Sequence, residues 1–239
     1  MGASDERSAA AGVRRMFDEI APRYDLLNHV LSCNVDRLWW ASTARAFESI
    51  LKNPASRVLD LCCGTGDMTL ALHRQGNQQT PPIIIGADFS HPMLVRGAAK
   101  FATRSIAPVE ADALSLPFKD GAFDLVVSAF GFRNLANYET GLKEIQRVLA
   151  PRGQLGILDF SQPAGLFGKL YKFYFEQVLP RIGTLLSGVK GPYEYLPASV
   201  QRFPQPEQML EKMRRLGFAN ATWKPYSFGI AGLYRAEKI

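Results

Sequence analysis

The sequence predicts a doubly wound α/β fold, a mostly parallel seven-stranded sheet of the Rossmann-like kind. A helical cap precedes it, and a helical insertion follows the fifth strand. Three observations predict this. Apolar runs rich in β-branched residues alternate with stretches of helical periodicity, the order that winds a parallel sheet. These runs are nearly continuous, as expected of strands covered on both faces. The first of them ends in Leu59-Asp60-Leu61 and bends through Cys62-Cys63-Gly64-Thr65-Gly66-Asp67 into a helix. Glycines in such a bend let a ligand approach backbone that a Cβ would hold off, and the helix start offers unpaired N–H groups.

Taken in order, residues 1 to about 10 are small and polar and are expected to be frayed. Val13, Met16, Phe17 and Ile20 recur at helical spacing before Pro22, and Tyr24, Leu27 and Leu31 continue on a second short helix. A third helix is expected from Asp36 through Ile50, stopped by Asn53-Pro54. Further strands are predicted at 83–87, 106–110, 123–128, 153–160, 221–226 and 230–235, with helices at 92–103, at 138–149 and around Met209 to Leu216. No linker or internal repeat divides the chain. We therefore expect one domain over 1–239, with a cap (1–53), a cofactor-binding core (54–160), an insertion or lid (161–204) and a C-terminal helix and strands (205–239).

Composition bounds the function. The chain has 239 residues, 47% of them hydrophobic, enough for one sizeable core. Its net charge of +6 is spread along the chain, as on an ordinary basic surface, and no basic module suggests a nucleic-acid partner. The three cysteines, with Cys62 and Cys63 adjacent, fit neither a disulfide framework nor a zinc site, and no metal is expected. A charged-then-apolar leader is missing, so a cytoplasmic location is expected.

In an open α/β sheet the ligand lies at the carboxyl ends of the strands. Asp88 closes the second strand, Asp112 the third, Ser128 the fourth and Asp159 the fifth. Each alone is a common turn or cap residue; together they line one acidic crevice. A nicotinamide loop would place a third glycine three residues after Gly66, where Thr69 stands, and neighbouring carboxylates would repel a pyrophosphate. A cationic sulfonium with an amino-acid tail suits the crevice better. S-adenosyl-L-methionine is thus the expected cofactor and S-adenosyl-L-homocysteine its product. Asp60 would support the tail or organise the loop, Gly64, Thr65 and Gly66 would border the methionyl part, Asp88 would take the ribose, and Asp112 with Ala113 the adenine edge.

The bend, Ala87-Asp88-Phe89-Ser90, the run from Ala111 to Phe118 and Phe123-Asp124-Leu125-Val126 together resemble a class I methyltransferase. Narrower segments resemble the ubiquinone/menaquinone-biosynthesis C-methyltransferases: Phe17 to Asn28, Asp36-Arg37-Leu38-Trp39, Phe130-Gly131-Phe132-Arg133-Asn134, Leu179 to Gly183 and Tyr195-Leu196-Pro197-Ala198-Ser199. The resemblance runs from about Val13 to the C-terminus. It implies methyl transfer to a ring carbon of a polyprenylated quinol, with cofactor contacts at Thr65, Asp88, Asp112, Ala113 and Ser128. It also implies a substrate pocket around Tyr24, Asp25, Asn28, Arg133 and Asn134. Arg37, Phe132, Tyr171 and Tyr174 are further candidates for contact with the substrate. Two departures stand out: Asp36 where the family usually carries His, and Cys62 in place of the loop's first glycine.

Methylating carbon requires a quinol oxygen to lose its proton while the ring carbon lines up with the sulfonium methyl. Arg133 has no acceptor and cannot act as an ordinary base. It is assigned the oxyanion or a polarised water, with Asn134 fixing the ring and Tyr24 or Asp25 relaying the proton; the bland reading of Arg133 is a strand-end salt bridge. In the insertion, an aromatic stripe that includes Phe167, Tyr171 and Tyr174 is expected to cover the prenyl tail. It would permit peripheral contact with the inner face of the membrane. Oligomeric state is left open, a homodimer included. Demethylmenaquinol is the favoured substrate. A ubiquinone-pathway benzoquinol, another small-molecule methyltransferase and a non-catalytic nucleoside-binding subunit are the alternatives.

Overall fold

A computed structural model describes residues 3–21, 34–102, 104–163, 165, 168 and 192–239. In chain order the elements are α1 (Ala3–Ile20), α2 (Val35–Arg45), α3 (Glu48–Leu51), β1 (Arg57–Leu61), α4 (Asp67–Gln75), β2 (Ile83–Asp88), α5 (His91–Phe101), β3 (Ile106–Glu110) and β4 (Phe123–Ala129). They continue with α6 (Tyr138–Val148), β5 (Leu149–Phe160), α7 (Pro192–Arg202), α8 (Pro206–Arg215), β6 (Phe218–Tyr226) and β7 (Ala231–Lys238). The strands form one seven-stranded sheet in the order β3-β2-β1-β4-β5-β7-β6. The pairs from β3 through β5 are parallel, whereas β7 runs antiparallel to both β5 and β6.

Residue alternation along the strands makes two cores, one on each side of the sheet. Leu59, Leu61, Val126, Leu155 and Ile157 face one side, packed with Leu142, Ile145 and Val148 of α6 and Met209 and Met213 of α8. Val58, Leu125, Val127 and Leu158 face the other, with Trp39 and Ala44 of α2, Leu51 of α3, Met68, Leu70 and Leu72 of α4 and Phe101 of α5. This explains the continuous apolar runs: with both faces covered, a strand has no polar side to show. Each fully buried Leu, Ile or Val among them contributes roughly 1.5–3 kcal/mol. The sheet centre, β1 and β4, is therefore a stiff platform.

Several boundaries differ from expectation for identifiable reasons. The first helix starts at Ala3, so the small polar N-terminal residues are helical rather than frayed. The third helix ends at Arg45, and Phe47, at φ −117°, separates it from the short α3. β3 stops at Glu110; Asp112 lies beyond it, bridged to Ser115. β5 begins at Leu149, directly after α6, and its register against β4 shifts between Phe123 and Leu125. The second predicted helix and the aromatic stripe of the insertion lie outside the described residues.

Candidate active site

The sheet order reverses between β1 and β4, and the crevice lies at their carboxyl ends. Its β1 side is the bend from Cys62 to Gly66, which takes left-handed backbone at Cys62 (φ 57°), Gly64 (φ 55°) and Gly66 (φ 87°). At Gly66 a Cβ would fall 2.2 Å from the Phe101 ring, so both space and conformation require glycine. The bend is tied to β2 by Cys63 N–H donating to Ala87 O at 3.0 Å and closed on itself by Gly66 N–H donating to Cys63 O at 2.8 Å. Lys100 Nζ donates to Thr65 Oγ1 at 3.3 Å and pairs with Asp67 at 3.0 Å.

Two buried carboxyls define the electrostatics. Asp88 accepts Gly64 N–H at 2.8 Å on one oxygen and Ser90 N–H at 2.9 Å on the other. Burial pushes it up to about 6, against the pull of those N–H groups. Asp60 accepts the Thr69 hydroxyl at 2.5 Å on Oδ2. Its Oδ1 is buried and has no partner among the described residues. Desolvation is the main reason that Asp60 is pushed up to about 7, with Asp88 adding to it. Among the described residues neither carboxyl has a cation as its hydrogen-bond partner, so the crevice favours a ligand that brings positive charge.

The rim beside β2 and β3 is covered by α1. Ser90 Oγ donates to Asp18 at 2.5 Å, and Arg14 pairs with Glu110 at 2.5 Å, whose other oxygen meets His91 Nδ1 at 3.0 Å. Nothing in the sequence marked Arg14 or Glu110 as rim residues, and Asp18 stood only inside the Phe17 to Asn28 segment. Asp112 is exposed; its carboxylate accepts Leu114 N–H at 2.9 Å and its carbonyl accepts Ser115 N–H at 3.0 Å. Ala113 and Ser128 are buried.

On the β4 side, Gly-Phe-Arg-Asn forms a short 3-10 turn, Phe132–Asn134, against the β1 bend. A Cβ on Gly131 would lie 2.3 Å from the Cys62 Cβ, so the two loops touch. Arg133 is fixed on several sides. Its Nη1 donates to Asp159 Oδ1 at 3.0 Å and to Phe130 O, its Nε donates to Ser199 Oγ at 3.3 Å, and its backbone N–H donates to Asp159 Oδ2 at 2.9 Å. Phe160 supports the guanidinium face, 5.2 Å from ring centroid to Cζ. Nη2 alone has no partner among the described residues, and 6% of the side chain still reaches the surface. Burial pushes the Asp159 carboxyl up while Arg133 and two backbone N–H groups pull it down. The strand-end salt bridge is thus present, and among the described residues it leaves one guanidinium nitrogen uncommitted.

The remaining candidates divide. Asn134 stays beside Arg133, with its Oδ1 buried and unpartnered among the described residues. Phe132, expected against the substrate, is fully buried and stacks on Tyr138 with ring centroids 6.0 Å apart; it packs beneath the turn. Arg37 is exposed on α2, while its neighbour Trp39 is buried, with Phe130 at 5.8 Å and Phe160 at 6.2 Å between centroids. Tyr24, Asp25, Asn28, Tyr171 and Tyr174 lie outside the described residues. Ser199 and Phe160 were missed as site residues. Ser199 ends the Tyr195-Leu196-Pro197-Ala198-Ser199 segment, but only the fold brings it to Arg133.

The model of the ubiE/COQ5 methyltransferase family matches residues 2–238. The chain belongs to the ubiE/COQ5 methyltransferase family. Demethylmenaquinone methyltransferase of Deinococcus radiodurans is 46% identical over 237 residues, spanning 98% of this chain and 95% of that protein. The ubiquinone/menaquinone biosynthesis C-methyltransferase UbiE of Geobacter sulfurreducens is 44% identical over 237 residues, 95% of this chain and 88% of the relative. Among solved structures, a SAM-dependent methyltransferase from Aquifex aeolicus superimposes with a TM-score of 0.59 at 16% identity, covering 82% of this chain and 89% of that one. That likeness shows the class I methyltransferase fold. The family's methyl donor fits the crevice: Asp60 Oδ1 is a buried acceptor with no partner among the described residues, which suits the donor's positive charge, and Asp88 keeps lone pairs for its ribose hydroxyls.

Proposed function

We propose that this chain methylates a ring carbon of a polyprenylated quinol with S-adenosylmethionine, converting demethylmenaquinol to menaquinol. Two supports converge. Relatives named for this reaction share nearly half of the residues over nearly the whole length. The observation that carries the mechanism is Arg133, held by Asp159, Ser199 and Phe130 O with Nη2 uncommitted among the described residues.

The bound cofactor supplies an electrophilic methyl group. The chain supplies the rest. Asp88 can accept ribose hydroxyls with lone pairs left over from its two backbone bonds. Asp60, pushed up to about 7 by burial, is drawn to its ionised form by the positive charge of the bound cofactor. Arg133 Nη2 donates to the quinol oxygen and lowers its pKa, and loss of that oxygen's proton raises electron density at the adjacent carbon. A guanidinium already held by Asp159, Ser199 and Phe130 O needs little reorganisation when the charge develops. Tyr24 or Asp25 relays the proton, Asn134 orients the ring, and the insertion with Tyr171 and Tyr174 covers the tail. The enzyme works at the cytoplasmic face of the membrane, where a prenylated substrate resides. No helix among the described residues is long and apolar enough to cross it.

Arg133→Ala, assayed on demethylmenaquinol, tests the assignment. Turnover should fall by about 10²–10³-fold with cofactor affinity unchanged; wild-type turnover would remove Arg133 from the mechanism. The name of the Geobacter relative favours a second reading, a ubiquinone-pathway benzoquinol as substrate. Quinone profiling of a strain lacking the gene separates the two, because the accumulating precursor is the substrate.

A further inference from the structure

Ser199 lies on α7, the helix that closes the insertion, and α7 packs against the Phe132–Asn134 turn. It is fully buried. Its hydroxyl has both directions committed: the proton goes to Leu196 O at 2.8 Å, and a lone pair accepts Arg133 Nε–H at 3.3 Å. The guanidinium is therefore constrained in three ways. Phe160 sets its plane, Asp159 and Phe130 O hold Nη1, and Ser199 alone fixes Nε. With Nη1 and Nε occupied, Nη2 is the guanidinium nitrogen left without a partner among the described residues.

We infer that Ser199 is a positioning residue for methyl transfer, through which α7 sets the direction in which Arg133 presents Nη2 to the quinol oxygen. This rests on the role proposed above for Arg133. Without the Ser199 hydroxyl, Nε–H is left buried and unpaired, and the guanidinium turns in its plane to find another acceptor. Nη2 then leaves the line to the oxygen. The ionisation of the bound quinol is thereby coupled to the seating of the insertion's final helix.

The test is Ser199→Ala in the full chain, with demethylmenaquinol carrying a short prenyl tail. The kcat should fall about tenfold at neutral pH, with the Kd for S-adenosylmethionine unchanged. The rising limb of the kcat–pH profile should move to higher pH by about half a unit to one unit, because a displaced cation lowers the quinol pKa less. In an Arg133→Lys background, Ser199→Ala should change kcat less than about twofold, since a residue acting through Arg133 has nothing left to position. A pH limb that stays in place, or a full tenfold loss added on top of Arg133→Lys, would overturn the inference. Its failure is distinct from failure of the mechanism: an inactive Arg133→Ala beside an unshifted Ser199→Ala removes Ser199 only, whereas a fully active Arg133→Ala removes both.

Discussion

Asp60 and Asp88 hold their protons more tightly in the folded chain than free aspartate does, at about 7 and about 6. A carboxyl raised above its unfolded value, near 4, stabilises the native state less as it ionises. Their contribution is thus most favourable at acidic pH and declines as pH rises from about 4 to about 7. Each unit of such a shift corresponds to about 1.4 kcal/mol. Asp60→Asn, which keeps an oxygen for the Thr69 hydroxyl, should raise the melting temperature of the cofactor-free protein by several degrees at pH 8 and by much less at pH 5. It should also weaken cofactor binding at pH 8. Thermal melts across that range check the first, and titration calorimetry the second. An unchanged pH dependence would mean that the buried charge is neutralised by another route.

At the level of elements, the β1 bend and the turn after β4 form one unit because Gly131 lies against Cys62. Gly131→Ala should cost about 1–3 kcal/mol by overpacking and weaken cofactor binding. Cys62→Gly removes the Cβ it meets and relieves a left-handed non-glycine residue, so the double variant should melt above the single Gly131→Ala variant. Equal or lower melting would place the strain elsewhere. This contact was not legible in the sequence, where the two residues stand 69 positions apart. The bend itself was legible, because strand, spaced glycines and helix follow one another directly. Asp88 was found from its place at the end of the second strand, a local rule. The Arg133–Ser199 bond joins elements on either side of the insertion, and periodicity carries no information about it.

For the whole molecule, the doubly wound sheet could be read in advance because two-sided burial writes itself as continuous apolar strands alternating with helical patterns. The order of the last strands was not readable in this way: nothing in the apolar runs 221–226 and 230–235 says which of them sits inside the other. In the structure β7 is inner, hydrogen-bonded from Phe160↔Ala231 to Gln154↔Glu237 on one side and to β6 on the other. A chain ending before Ala231 should therefore lose β6 from the sheet as well as β7, and it should be recovered as aggregate rather than as a shortened enzyme. Soluble, cofactor-binding protein truncated after Gly229 would contradict this.

That arrangement also governs the moment of folding. During synthesis β5 emerges with its outer edge unpaired, and it stays so while more than 70 further residues are made, because the strand that covers it is the last in the sheet. A long apolar strand with an open edge invites pairing with other chains. The yield of this protein in cells should therefore depend on how quickly β7 arrives and on what shields the β5 edge until it does.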